Sequence, residues 1–261
     1  MPEGDSVAGD ALRLDPLLRG QVVVRVECRW PRVVSGLTGC SIGSVMARGK
    51  HLLLGFSDGT TLRVHRRMTG SWRVYAPDQR WGRSRGGLAV ALHTTDHQVV
   101  CFRAPEVERI DNRALATHRM LSLLGPDLIA DDWQPDTVLA RARFASHTQV
   151  ADLLRDQKVA CGLGNVYASE LPFLQRCSPF SSPSALSDED LVALYERGRR
   201  LLQVNVGRKR NTTGFERPHL WVYGRGRRPC LRCGQRIRNT TGGQADRTVY
   251  WCGRCQPSPD R

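Results

Sequence analysis

The chain opens MPEGD, with Pro2 directly behind the initiator Met1 and two carboxylates, Glu3 and Asp5, beside it. Methionine is commonly trimmed before a small residue, and the mature chain would then begin with the secondary amine of Pro2. An α-amino group titrates near pH 8 and a lysine near about 10.4, so far more of the former is unprotonated and nucleophilic at neutral pH. A secondary amine that adds to a sugar C1′ gives an iminium whose positive charge persists at any pH, which makes it an electron sink. Taken alone, PEGD is equally compatible with an ordinary chain start. A second chemical signal lies at the other end, where CLRC (Cys230, Cys233) is followed 18 residues later by CGRC (Cys252, Cys255). Two such pairs aim four thiolates at one tetrahedral ion, the pattern of a zinc ribbon, and a closed four-thiolate site leaves no position for catalysis. One structural Zn2+ is therefore expected.

Between these ends, DQKVACGLGNVYASE places Gly162 and Gly164 in a turn between two helical segments, with Asn165 opening the second and Lys158 one turn earlier. A helix start, an Asn amide and backbone N–H groups suit a phosphate, although GLGN is also an ordinary tight connection. Arg247 follows the Gly-Gly turn between the two cysteine pairs, where it can project from a hairpin or simply be a solvated charge.

The elements that must position these residues are legible in outline. SVAGDALRLDPLLRG has Val7, Ala11, Leu14 and Leu18 at helical spacing and Gly20 as a stop. VVVRVECRW, SIGSVMARG, HLLLGF, TLRVH, SWRVY, GLAVALHTT and QVVCFRA then predict six or seven short strands in an antiparallel sandwich, with SDGT at 57–60 as a hairpin turn. From about Ile110 helical patterns take over: RALATHRMLSLLG, DTVLARARF, HTQVADLLRDQ, a helix opening near Asn165, and SDEDLVALYERGRRLLQVNV with Ser187 as its cap. The boundary falls between 115 and 135, and the expected division is 1–120, 121–219 and 220–261.

Charge points to a polyanion. The chain of 261 residues carries a formal charge of +14, and residues 208–261 hold 13 positive charges (12 Arg and Lys209) against 3 negative, a net of +10. Arginine supplies 36 of the 39 basic residues, and its planar fork suits phosphate oxygens. An odd cysteine count of nine, with five scattered singly, speaks against a disulfide scaffold. There is no run of 18 apolar residues and no signal segment, so a membrane is not an expected partner, and the expected location is the prokaryotic cytoplasm, at the nucleoid.

PEGD, RGKHLLL, HRRMTGSW, DQKVACGLGNVYASE and a CxxC(x18)CxxC preceded by WVYGR, in this order over the whole chain, resemble the formamidopyrimidine-DNA glycosylase and endonuclease VIII family of base-excision repair enzymes. The resemblance implies an α+β fold: an N-terminal antiparallel β-sandwich with a lead helix, a helix-two-turn-helix domain and a C-terminal four-cysteine zinc finger. It implies a monomeric bifunctional DNA glycosylase/AP lyase acting on damaged DNA, double-stranded, with single-stranded or bubble DNA left open. By the same resemblance Pro2 is the nucleophile, Glu3 the acid and Lys50 a catalytic contact to the phosphate beside the lesion. Asn165 and Arg247 grip phosphates, Lys158 adds a DNA contact, and Met68 is the apolar wedge that fills the space of the flipped nucleotide. Asp156 and Glu170 match positions near the site, where either could equally be a structural cap or ion pair.

Departures from the family pattern bear on specificity. Purine-directed relatives carry an arginine- and phenylalanine-bearing loop after the strand that corresponds to QVVCFRA, whereas this chain reads APEVERI, and Ala151 stands where those enzymes have a lysine. RKRNTTGFERPHLW resembles the endonuclease VIII branch. Oxidised pyrimidines are the expected lesions, with oxidised purines, or a non-catalytic damaged-DNA-binding role, as the alternatives.

Overall fold

The computed structural model describes residues 2–208, 212–214, 219–242 and 247–257. The chain forms two compact units, one of Pro2 with Ser6–Ser122, the other of Glu3–Asp5 with the chain from Leu123 onward.

The first unit is a sandwich of two four-stranded antiparallel sheets. One has the order β1 (Arg25–Cys28), β6 (Leu88–His93), β7 (Gln98–Phe102), β5 (Ser71–Tyr75); the other runs β2 (Ile42–Arg48), β3 (His51–Phe56), β4 (Thr60–His65), β8 (Glu106–Asp111). The β-rich runs pair because every second side chain reaches one shared core: Leu52, Leu54, Leu62 and Val64 from one sheet meet Val90, Leu92, Val99 and Cys101 from the other. Helix α1 (Gly4–Leu18) adds Val7, Ala11, Leu14 and Leu18 to that core, as its periodicity predicts.

Two expectations are corrected. Beyond the six or seven strands expected, the segment APEVERI supplies most of an eighth. Its charged residues face β4, Arg63 opposite Glu108 and His65 opposite Glu106, and ion pairs from Arg63 to both glutamates replace the apolar alternation that sequence reading looks for. Conversely, RALATHRMLSLLG forms no α-helix. The Asp111 carboxylate accepts from the Arg113 N–H at 2.8 Å and starts a short 3-10 turn, Asn112–Thr117, and turns follow. Met120 and Leu123 remain 41% and 49% exposed, so the periodic pattern finds no core to bury against.

The second unit is helical: α2 (Pro135–Phe144), α3 (Val150–Arg155), α4 (Asn165–Gln175) and α5 (Asp188–Asn205) surround a core of Leu153, Leu154, Tyr167, Leu171, Leu194 and Leu202. Ser187 caps α5 by accepting from the Asp190 N–H at 3.1 Å. The hairpin β9 (Arg238–Gly242) and β10 (Arg247–Trp251) belongs to a small finger docked on α4. There the Trp221 ring stacks on Phe173 at 5.5 Å, and Arg232 lies 4.2 Å over the same Phe173 ring while donating to its carbonyl at 3.2 Å.

Candidate active site

The tripeptide Glu3–Asp5 is fastened to the start of α4 and the turn before it. Glu3 is fully buried, and its Oε2 and Oε1 accept from the Gly164 and Val166 N–H groups, each at 2.8 Å. The Gly4 N–H donates to the Gly162 carbonyl at 2.8 Å. A Cβ on Gly4 would lie 2.8 Å from the Gly162 Cα, and Gly162 itself has φ +117, so the contact needs glycine on both sides. Asp5, also buried, accepts from the Tyr167 hydroxyl at 2.5 Å. The helix start that GLGN offers to a phosphate is thus occupied by the chain's own Glu3, whose charge the α4 dipole favours. Each Glu3 oxygen accepts one of these two N–H groups.

The GLGN turn is braced from inside. Gln157 donates to the Leu163 carbonyl at 2.9 Å and accepts from the Gly162 N–H at 3.1 Å. Asp156 ends α3; one oxygen accepts from the Lys158 N–H at 2.8 Å and the other lies 2.8 Å from His147. The Lys158 side chain is exposed. Asn165 is 7% exposed, takes a hydrogen bond from Arg155 at 2.9 Å and gives one to the Thr248 carbonyl at 2.7 Å. This last bond ties the turn to β10, one residue after exposed Arg247.

Glu170, fully buried on α4, holds the entry to the finger. Its oxygens accept from the Trp221, Val222 and Tyr223 N–H groups, each at 2.8 Å, and from the Thr213 hydroxyl. Burial pushes this carboxyl up from the ordinary range, against the pull of Thr213 and the three amides. Asp156 and Glu170 are therefore both structural organisers in this geometry.

The four finger cysteines converge. Their sulfurs lie within 4.8 Å of one another, with Cys230 to Cys255 at 3.9 Å and Cys233 to Cys252 at 3.5 Å. A tetrahedral ion with metal–sulfur bonds of about 2.3 Å requires sulfur separations of about 3.8 Å. The donor set fits such an ion.

In the first unit, Pro2 is half-buried, and Lys50 is half-buried at the turn between β2 and β3. Behind it lie the buried His51 imidazole and the partly buried ring of His65, 4.7 Å apart. Burial, with His65 and Arg63 beside it, pushes His51 down to about 3. Burial also pushes His65 down to about 4, opposed by Glu106 and helped by Arg67, Arg63 and Lys50. Both rings are therefore neutral.

Met68 tips a turn secured at every other residue. Arg66 pairs with Asp10 of α1 at 2.7 Å, Arg67 with Glu106 at 2.6 Å, Thr69 donates to the Arg103 carbonyl at 3.0 Å, and the Gly70 N–H closes onto the Arg66 carbonyl at 2.9 Å. Arg67 sits at φ +50, a conformation that costs a non-glycine residue about a kcal/mol or more. Met68 is left 54% exposed. Sequence reading missed Asp10, Glu106, Tyr167 and Asn205; the only signal was the unexplained Asp5 of PEGD and the Tyr of GNVYASE.

Comparison with known proteins places this geometry. The model of the formamidopyrimidine-DNA glycosylase N-terminal domain matches residues 1–116, and that of the formamidopyrimidine-DNA glycosylase H2TH domain matches 124–217. The probable endonuclease 8 2 of Streptomyces coelicolor is 40% identical over 264 residues, spanning 99% of this chain and 95% of that protein. The DNA-(apurinic or apyrimidinic site) lyase Nei2 of Mycolicibacterium smegmatis is 34% identical, spanning 98% of this chain and 99% of that protein. The endonuclease 8 of Escherichia coli is 31% identical, spanning 98% of this chain and 100% of that protein. Among solved structures, the Lactococcus lactis formamidopyrimidine-DNA glycosylase bound to DNA with an abasic site shares the fold, with a TM-score of 0.84, 24% identity, and coverage of 98% of this chain and 100% of that one. Among the described residues no helix is long and apolar enough to cross a membrane. With two family models and full-length relatives in agreement, the chain belongs to the formamidopyrimidine-DNA glycosylase/endonuclease VIII family of DNA-repair enzymes.

Proposed function

We propose that the protein is a bifunctional DNA glycosylase and AP lyase of the endonuclease VIII type, with Pro2 as nucleophile once Met1 is removed. The observation that carries this reading is the fully buried Glu3 carboxylate, fixed on the start of α4 in the peptide next to Pro2. The Pro2 nitrogen attacks C1′ of the damaged nucleotide, the C1′–N bond to the base breaks, and the base leaves with a proton. Glu3 takes the proton that the Pro2 nitrogen loses and delivers it to the sugar ring oxygen, the base drawing its proton from solvent, and the sugar opens to a Schiff base. The iminium acidifies C2′, loss of that proton expels the 3′ phosphate, and a second elimination expels the 5′ phosphate.

Lys50 serves the phosphate beside the lesion and Met68 fills the vacated space. Arg247 and Lys158 contact the backbone, and Asn165 acts in the grip chiefly by fixing Thr248 beside Arg247. The four cysteines hold one structural Zn2+, which keeps the finger folded and leaves every chemical step to protein side chains. Residues 1–120 carry the nucleophile and wedge, 121–219 the helical grip and 220–261 the finger. The substrate is damaged DNA in the bacterial cytoplasm. Oxidised pyrimidines are the favoured lesions: the full-length relatives are named endonuclease 8, and β8 occupies the sequence where purine-directed enzymes carry their arginine-phenylalanine loop.

Borohydride trapping on abasic duplex DNA tests the reading. Correctly trimmed protein should yield a covalent adduct that Pro2→Gly forms more slowly. Absence of any adduct would leave the non-catalytic DNA-binding alternative. Faster turnover on 8-oxoguanine opposite cytosine than on thymine glycol would transfer the enzyme to the purine branch.

A further inference from the structure

The strap Glu3–Asp5 engages α4 through four hydrogen bonds, of which only the pair from Glu3 belongs to the mechanism above. Of the other two, the Gly4 N–H closes onto the Gly162 carbonyl, and the contact of Asp5 with Tyr167 does not end there. The Tyr167 hydroxyl, which donates to Asp5 at 2.5 Å, accepts from the Asn205 amide at 3.0 Å. That amide reads the backbone of Thr212 from both sides, donating to its carbonyl at 2.8 Å and accepting from its N–H at 3.0 Å. Thr212 in turn takes the His219 N–H on its hydroxyl at 2.9 Å. Asp5, Tyr167 and Asn205 are 1%, 0% and 3% exposed, so this is a continuous buried chain of polar groups from the strap to the segment that leaves α5.

We propose that Asp5 and Tyr167, with Asn205 behind them, are positioning residues for the Pro2 nucleophile. The inference rests on the reading of Pro2 given above. A hydroxyl donating to a carboxylate at this separation is a short, charge-assisted bond, among the strongest a neutral donor makes. It sits three residues from Pro2 and adds, beyond the Glu3 and Gly4 contacts, the side-chain tie that fixes how the strap is turned on α4. Without it the strap keeps its anchor but loses its aim, and a misplacement of about 1 Å at a reacting nitrogen slows attack by about 100-fold. Asn205 orients the same hydroxyl from the opposite side, so the aim of the nucleophile is set partly by the backbone around Thr212.

The test uses full-length, trimmed, metal-loaded protein. Tyr167→Phe removes only the hydroxyl, Asp5→Ala removes the acceptor, and Asp5→Asn keeps a carbonyl oxygen in its place. Two quantities are measured: affinity for duplex DNA carrying a tetrahydrofuran abasic analogue, and the single-turnover rate of borohydride-trappable adduct on a true abasic site. Tyr167→Phe and Asp5→Ala should each slow adduct formation by about 10- to 100-fold with affinity kept within about twofold. Asp5→Asn should recover most of the rate, and the double variant should be no slower than either single, because both remove one interaction. Adduct formation at the wild-type rate in Asp5→Ala overturns the proposal. So does a parallel loss of affinity and rate in Asp5→Ala with no recovery in Asp5→Asn, which is what a merely structural role gives. If wild-type protein itself forms no adduct, the assignment of Pro2 fails and this proposal falls with it, a result distinct from either of the others.

Discussion

The two units house their important carboxylates in opposite ways. In the helical unit, Glu3 and Glu170 are fully buried and held mainly by backbone N–H groups at 2.8 Å. On the sandwich, Glu106 and Glu108 lie partly in solvent and are held by arginines and histidines: Arg63 reaches both, Arg67 reaches Glu106, and His118 reaches Glu108. Partial burial works to raise both carboxyls, but hydrogen bonds from Arg67 to Glu106 and from His118 and Arg63 to Glu108, with the arginine charges, hold both below their usual range. The difference shows that a fixed dipole can hold an acid where no mobile ion competes, whereas an ion pair holds it only as long as salt and pH allow.

The sharpest way to break this contrast is Glu170→Ala. It strands three backbone donors whose acceptor cannot be replaced, and should destabilise the helical unit by at least about 3 kcal/mol, seen as a lower denaturant midpoint. Glu3→Gln comes next. An amide nitrogen cannot accept from an N–H, so one of its two anchors turns repulsive. Base excision should fall on the order of 100-fold, a little under 3 kcal/mol in the barrier, while DNA binding persists. Unchanged excision in a single-turnover assay would remove Glu3 from the chemistry.

The third prediction concerns pH and the sandwich alone. His51 titrates near 6.5 when unfolded and about 3 when folded, so the folded state binds fewer protons through that interval. Its contribution is fully present above pH 6.5 and is lost as the pH falls toward 3, on the order of 1 kcal/mol for each unit of pH. His51→Gln should flatten the stability profile over that window in thermal melts; a profile parallel to wild type would show that the ring is not buried neutral. The smallest effect is expected for Glu106→Gln, about 0.2–1 kcal/mol, shrinking in high salt because the pair is partly exposed. A loss that survives 1 M salt would mean that Glu106 acts through the strained Arg67 turn and not through charge.

The same contrast explains how far the sequence could be read. The apolar runs of the sandwich, the periodic face of α1 and the paired cysteines are written in side-chain types at fixed spacing, so they were visible. β8 was not, since EVERID lacks apolar alternation and depends on Arg63 lying opposite in the folded sheet. RALATHRMLSLLG was misread for the complementary reason: a helical period promises a helix only where a core awaits it. The roles of Glu3 and Glu170 were least legible. Their partners are N–H groups that nearly every residue carries, and Glu3 finds them 161 and 163 residues away. Only the resemblance of PEGD and GLGNVYASE to a family drew attention to them, and it did not show that the one sits on the other.

Because Glu3–Asp5 fold with the chain from Leu123 onward, the strap has no docking partner while the first half of the protein is being made. At about 5–20 residues per second, roughly ten to thirty seconds separate synthesis of Glu3 from that of Gly164. On the proposed function, that interval leaves the amino terminus undocked while Met1 is removed to uncover Pro2. On that reading the Pro2 amine gains its aim only after the ribosome has delivered α4.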